Sequence, residues 1–354
     1  MKNHFDSIVI GAGQAGLASA YHLQKQGLTY LVLETDNQIA GSWSKYYDSL
    51  KLFSPARYSS LPKLRFPGDS SRYPSKDEVI SYLNEYAKHF NLNIRTGEKI
   101  TVVRKVSGVF EIVTARGNVF YTKTVISAAG AFAYPNLPLI EGSDRYKGKI
   151  IHSSLYKNVD EYKNKRVVVV GGGNSAVQIA FELAKVAKVS LATRKPISFK
   201  PQRILGKDIH FWLKITGFDT LFYGRKFAMD TSVMDTGIYK EAILKNKLEC
   251  KNMFINYTEE GIVWSDGRRE KVDSVIYATG YRPHVSYLTS LKNAIGSNGS
   301  PLQNKGISTT IDGLYFVGIS GQRSFSSATI RGVGVDAKYV VKEVRKFIKS
   351  LVYN

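Results

Sequence analysis

Cysteine is almost missing from this chain: Cys250 is the only one in 354 residues. That excludes an internal disulfide and a redox-active Cys-x-x-Cys pair. Long apolar runs are missing too, since none approaches the roughly 20 residues of a membrane span. The first strand-like run begins at Ser7, which leaves no room for a secretory signal, so a soluble, cytoplasmic protein is expected. Acids are scarce: 29 Asp and Glu face 50 Lys and Arg, a formal charge of +21. The cations are spread along the chain and no nucleic-acid motif accompanies them. They read as a solvated basic surface, with no nucleic-acid partner expected. No metal is expected. The length accommodates two or three domains, and a homodimer stays open.

What is present begins with Ser7-Ile8-Val9-Ile10, followed at once by Gly11-Ala12-Gly13-Gln14-Ala15-Gly16 and a helical stretch to Lys25. Strand, glycine turn and helix in that order make the first unit of a dinucleotide-binding fold. Gly11 allows the tight turn, Gly13 the approach of a pyrophosphate, and Gly16 close packing of helix on strand. The helix start offers free N–H groups to phosphate. A second run, Tyr30 to Leu33, ends in Glu34, placed to accept hydrogen bonds from a ribose. Gly41, Ser42 and Trp43 follow in a loop. Ser75-x-x-Glu78 is a capping box opening a helix that carries Val79, Ile80, Leu83, Tyr86, Ala87 and Phe90 on one face. Ile100 heads a small antiparallel meander, and Thr124 to Ala128 is the strand that closes the domain, followed by Ala129 and Gly130.

The opening then recurs. Arg166 to Val170 is a strand, Gly171-Gly172-Gly173-Asn174-Ser175-Ala176 a second glycine turn, and a helix follows. This half ends at Thr279-Gly280, matching Gly130. The expected fold is α/β with two Rossmann-like dinucleotide-binding domains. The first domain is expected over 1–150 and 275–354, and the second over 151–274. A helical insertion is expected at about 200–250, with Phe211, Trp212, Leu213, Phe218, Leu221, Phe222, Tyr223 and Phe227 among basic residues. A last helix is expected from about Ser326.

Two such units call for two dinucleotides, and a flavin with a nicotinamide is the natural pair. Glu34 suits the unphosphorylated ribose of FAD. The second unit lacks that acid: its strand ends at Thr193-Arg194-Lys195, whose cations suit the 2′-phosphate of NADPH. Ala176 in place of a third glycine points the same way.

Tyr146-x-Gly148-x-x-x-His152-x-x-x-Tyr156, lying between the glycine turns, resembles the fingerprint of class B flavin monooxygenases, with Tyr146 where Phe is usual. Gly41-x-Trp43 and Ala278-Thr279-Gly280-Tyr281 resemble that family too, and the likeness runs nearly end to end. It is closest to small bacterial members, some named for an association with cation efflux. The resemblance implies that NADPH reduces FAD and that O₂ adds at the flavin C4a position. The (hydro)peroxide then passes one oxygen to a soft nucleophile or a ketone. It also implies that His152 is positional. Larger members place an asparagine in the region corresponding to Leu50–Tyr58, where this chain has none. Ser54, Arg57 and Tyr58 are the polar candidates there. The helix start at Ser326 and Ser327 is expected beside the flavin's pyrimidine edge. The competing functions are an oxidase or reductase passing electrons to O₂, a quinone or a metal, and a non-catalytic redox sensor.

Overall fold

The computed structural model describes residues 3–130, 134–221, 232–282 and 285–353. Phe222, Tyr223 and Phe227 lie outside them. The chain opens with β1 (His4–Ile10), α1 (Gln14–Lys25) and β2 (Tyr30–Leu33), then reaches α2 (Lys76–His89) and β3 (Ile94–Arg95) after a long loop. β4 (Ile100–Val106), β5 (Val109–Thr114) and β6 (Val119–Ser127) pair antiparallel. β7 (Tyr134–Pro135) and β8 (Lys149–His152) lead to β9 (Arg166–Val170), α3 (Asn174–Leu183) and β10 (Lys188–Thr193). Then come β11 (Phe199–Pro201), β12 (Arg203–Ile204), β13 (Lys207–Asp208), α4 (Ile209–Ile215), β14 (Val233–Asp235), α5 (Ile238–Leu244) and β15 (Glu249–Asn252). β16 (Asn256–Tyr257), β17 (Gly261–Val263) and β18 (Arg269–Lys271) form a small sheet, followed by β19 (Ser274–Tyr277) and β20 (Tyr281–Arg282). β21 (Gln303–Asn304), β22 (Ile307–Ser308), β23 (Leu314–Phe316) and α6 (Ile330–Tyr353) finish the chain.

Two sheets organise these elements. The first runs β21-β22-β23-β6-β1-β2-β3, with β5 and β4 continuing from β6. The second runs β15-β10-β9-β19-β8, all its pairs parallel. Parallel strands are covered on both faces, so they read as unbroken apolar runs. Ile8 to Ile10 and Val167 to Val170 are such runs, none more than 5% exposed. On one face of the first sheet, Leu17, Tyr21 and Leu23 of α1 share a core with Val333, Ala337, Val340 and Val344 of α6. Phe110, Phe120 and Leu288 fill the other face. The chain passes between the sheets twice, and there β7 and β20 pair antiparallel, Tyr281 opposite Pro135.

The expected limits at 150/151 and 274/275 fall within β8 and β19, both strands of the second sheet. Three expectations are corrected. The meander is not separate from the closing strand. β6 is one nine-residue strand, antiparallel to β5 at its start and parallel to β1 from Tyr121 to Ser127. The described part of the insertion is not mainly helical: α4 and α5 have seven residues each, set among short strands. The last helix starts at Ile330, not Ser326. Both serines lie in a preceding turn, where the Ser327 hydroxyl accepts from the Arg323 N–H, the Ser326 hydroxyl donates out to the Asp219 carbonyl, and Ala328 takes a left-handed φ of +71°.

Candidate functional site

The first glycine turn is built around contacts that tolerate no side chain. Gly11 has φ +103°, and a Cβ on it would stand 2.7 Å from the Ala128 carbonyl oxygen. A Cβ on Gly16 would stand 1.8 Å from the Gly11 carbonyl oxygen, so helix and turn touch backbone to backbone. Gly13 differs: only the Gly41 Cα, at 3.9 Å, lies near its Cβ position, leaving that side of the turn open. Glu34 is buried and accepts from the Ala12 N–H at 2.6 Å and the Asp36 N–H at 3.0 Å. Two bonds leave a carboxylate with spare lone pairs. Gln14 ties the site together. It accepts from the Trp43 indole at 2.8 Å and donates to the Ala328 carbonyl at 3.2 Å. Gly41, Ser42 and Trp43 lie in the short 3-10 turn Gly41–Lys45, so the tail turn and this turn flank the start of α1. Ile100 is packed in the core and offers only its backbone. Ala129 and Gly130 are exposed at the end of β6.

The second turn repeats the plan with one methyl added. Gly171 has φ +140°, and a Cβ there would stand 2.5 Å from the Ala278 oxygen and 3.1 Å from the Ala176 Cβ. Ala176 is fully buried, its methyl against the turn where Gly16 has none. Asn174 accepts from the Met234 N–H, Ser175 is exposed, and Gly173 is the residue before α3. Arg194 and Lys195, just past the end of β10, are exposed and have no ion pair among the described residues. Thr279 donates to the Asn136 carbonyl, and Gly280 has φ +76°.

The helix starts sort themselves by how they are satisfied. The first N–H groups of any helix lack intrahelical partners. α2 has the expected capping box of Ser75 and Glu78. Asp208 caps α4, Asp235 accepts from three N–H groups at the start of α5, and the Thr329 hydroxyl accepts from Gly332 in α6. α1 and α3 alone have no side-chain cap and no acid in the first turn, and both follow glycine turns.

The fingerprint residues sit at the passage between the sheets. A Cβ on Gly148 would stand 2.2 Å from the Tyr146 ring, whose hydroxyl donates to the Val272 carbonyl. The His152 Nδ1 accepts from the Ser154 N–H, so its proton is on Nε2, which donates to the Gly280 carbonyl at 2.9 Å. Burial pushes its pKa down, and the ring braces the residue just before β20. Tyr156 is fully buried near Tyr47.

Ser54, Arg57 and Tyr58 are brought to one edge, with their polar groups partly engaged. Ser54 pairs with the Ser59 hydroxyl, and the Arg57 Nε donates to the Ser70 carbonyl at 3.1 Å. Segment 199–221 of the second half reaches across to this edge. Gln202 donates to the Phe53 carbonyl, and Asp219 pairs with Arg331 at 3.0 Å and accepts from the Ser326 hydroxyl. Ser326 and Ser327 are thus buried members of the tail turn. Sequence reasoning missed Asp208. It accepts from the His210 N–H and Nδ1, from Tyr73 across 135 positions, and from Gln202. No local pattern signals such a cluster. Burial would raise its pKa, but those donors outweigh burial and hold the carboxyl at about 2. A depressed pKa contributes stability above the usual carboxylate range, lost as pH falls through about 2. Asp208→Asn should therefore destabilise the protein at pH 7 by roughly 1–3 kcal/mol, measured by denaturant unfolding, and narrow its stability difference between pH 7 and pH 2.

Two sheets, each with a glycine turn feeding an uncapped helix, define an α/β protein with two dinucleotide-binding domains. The chain belongs to the pyridine nucleotide-disulphide oxidoreductase family, whose model matches residues 8–318. It is 34% identical to an uncharacterized CzcO-like oxidoreductase of Geobacillus kaustophilus, over 97% of this chain and 99% of that one. It is 28% identical to the indole-3-pyruvate monooxygenase YUCCA6 of Arabidopsis thaliana, over 97% and 91%. A double-substituted flavin monooxygenase from Stenotrophomonas maltophilia superposes with a TM-score of 0.86 at 27% identity, covering 98% of this chain and 99% of that one. No helix among the described residues is long and apolar enough to cross a membrane.

Proposed function

We propose that the protein is an NADPH-dependent FAD monooxygenase that passes one oxygen atom of O₂ to a soft nucleophile or a ketone. One observation carries this: among the described helices, α1 and α3, opened by glycine turns, have neither a side-chain acceptor for their first N–H groups nor an acid in the first turn. Orphan N–H groups at a helix start fit a pyrophosphate. At α1, the open side of Gly13 and the buried Glu34 suit FAD. At α3, Arg194 and Lys195 suit a 2′-phosphate. Bound there, the two cofactors supply hydride transfer and the activation of O₂. The chain's part is to hold the diphosphates on Gly11, Gly13, Gln14, Ala15 and Gly16 and on Gly171, Gly173, Asn174, Ser175 and Ala176. Trp43 and the tail turn brace the first site through Gln14. Segment 199–221 is tied to the edge at Phe53–Tyr58 through Gln202. The strand pairing supports domain limits near 130 and 280. Within this family a dithiol mechanism needs paired cysteines, and Cys250 stands alone.

The engagement of Ser54 and Arg57 favours a second reading, a reductase or oxidase whose electrons reach O₂ as H₂O₂. The measurement that decides is H₂O₂ formed per NADPH consumed, with and without a thioether. Oxygen transfer predicts a ratio that falls well below one when the thioether is present and sulfoxide that makes up the difference. A ratio fixed near one with no sulfoxide would establish the oxidase, and no NADPH consumption a sensor.

A further inference from the structure

We propose that the cleft between Arg57–Tyr58 and α4 binds a small organic acid, a carboxylate carried on an aromatic or aliphatic body. The proposal rests on the oxygen-transfer reading in one respect, that the acid held there is the molecule oxidised. The open cleft has a volume of about 460 Å³ and is lined by Arg57, Tyr58, Phe211, Lys214 and Ile215. That volume suits a small ligand. Its walls come from distant parts of the chain, because Gln202 anchors the insertion on Phe53, and Tyr73 and His210 both bond Asp208. Phe211, Lys214 and Ile215 are spaced i, i+3, i+4, so α4 presents all three on one face. Ile215 is 58% exposed, an apolar side chain without cover.

The charge is one-sided. Among the described residues, two cations line the cleft and no acid does, while Asp69, held by Ser71, lies within electrostatic reach of Arg57. Arg57 uses its Nε on the Ser70 carbonyl, which leaves the terminal nitrogens of its guanidinium for a ligand. The Lys214 ammonium lies 5.9 Å from the Tyr58 ring centroid. Neither cation has an ion pair among the described residues. The acids nearest Lys214 in sequence, Asp219 and Asp208, are each taken up elsewhere, Asp219 by Arg331 and Asp208 by its own donors. A carboxylate would satisfy the free fork of Arg57 and the point charge of Lys214 together. Phe211, Tyr58 and Ile215 would cover the apolar remainder. A bare inorganic anion would leave those three walls wet, which is why an organic acid fits better than phosphate.

The test uses the holoenzyme and three probes: (benzylthio)acetate, its neutral amide (benzylthio)acetamide, and acetate. By titration calorimetry the benzylthio acid should bind at least ten-fold tighter than either of the others. Lys214→Gln should weaken the acid about ten-fold and leave the amide unchanged, and K214E should abolish the preference. Arg57→Gln should act like K214Q. Because Arg57 also tethers its loop, the Lys214 variants, at an exposed position, keep the test decisive should R57Q misfold. Equal binding of acid and amide, acetate binding as tightly as the benzylthio acid, or indifference to K214Q and K214E would each overturn the proposal. Selective binding of the acid without sulfoxide formation would uphold the cleft and overturn the oxygen-transfer reading. Sulfoxide formed equally from acid and amide, with equal affinities, would do the reverse.

Discussion

Gly16→Ala should yield a colourless protein. The added Cβ would stand 1.8 Å from the Gly11 carbonyl oxygen, and both atoms belong to backbone that cannot swing away as a side chain can. The start of α1 must back off from the turn by more than an ångström. The N–H groups aimed at the diphosphate move with it. Hydrogen bonds to a charged partner contribute roughly 1.5–3 kcal/mol each, so losing one costs about 10- to 150-fold in affinity. Losing two leaves FAD to wash out during purification. The readout is the flavin absorbance relative to protein, after reconstitution with excess FAD. Nucleotide binding at α3 reports whether the rest of the chain has folded. Ala176→Gly is the counterpart. The second turn already holds a methyl in that place, so its removal should leave FAD content unchanged. Full flavin content in G16A would place the flavin elsewhere.

Arg194→Gln should raise the KM for NADPH at least ten-fold and leave NADH nearly untouched. Arg194 stands exposed just past β10, at the end of the second strand of its unit. A 2′-phosphate carries close to two negative charges, and the guanidinium meets it with a planar fork while Lys195 adds a mobile point charge. Exposure and salt pull the effect toward the lower end of the range given above. The maximal rate of flavin reduction should change little, because the phosphate is remote from the hydride. High salt should narrow the wild-type preference for NADPH. Equal losses with both nicotinamides would show that Arg194 holds the pyrophosphate or the fold. An unchanged KM would move the phosphate site, with Lys200 and Arg203 the next candidates.

Both glycine turns, their flanking strands and the capping box at Ser75 are legible in the sequence because each is a local device. A few residues at fixed spacing satisfy a few backbone groups. The start of the last helix is not legible, and the reason is specific. Ser326 and Ser327 look like caps, but the Ser326 hydroxyl bonds Asp219, 107 positions away, and Ser327 receives the N–H groups of Arg323 and Ser324. The insertion reads as helical from its aromatic residues, yet Tyr73, Gln202 and His210 converge on Asp208 through contacts that no periodicity encodes. The pairing of β8 with β19 in the second sheet is non-local in the same way, since the two strands lie far apart in the chain.

The bare start of α1 has a consequence for the protein's lifetime. A helix that relies on a ligand for its cap is finished only when the ligand arrives. Newly made chains therefore compete, between release from the ribosome and capture of the cofactor, with proteases that sample loosened ends. A ligand at a hundred times its dissociation constant adds about 2.7 kcal/mol to stability. A cell short of riboflavin would forgo that margin, and the amount of this protein would track vitamin supply without any change in its gene's expression.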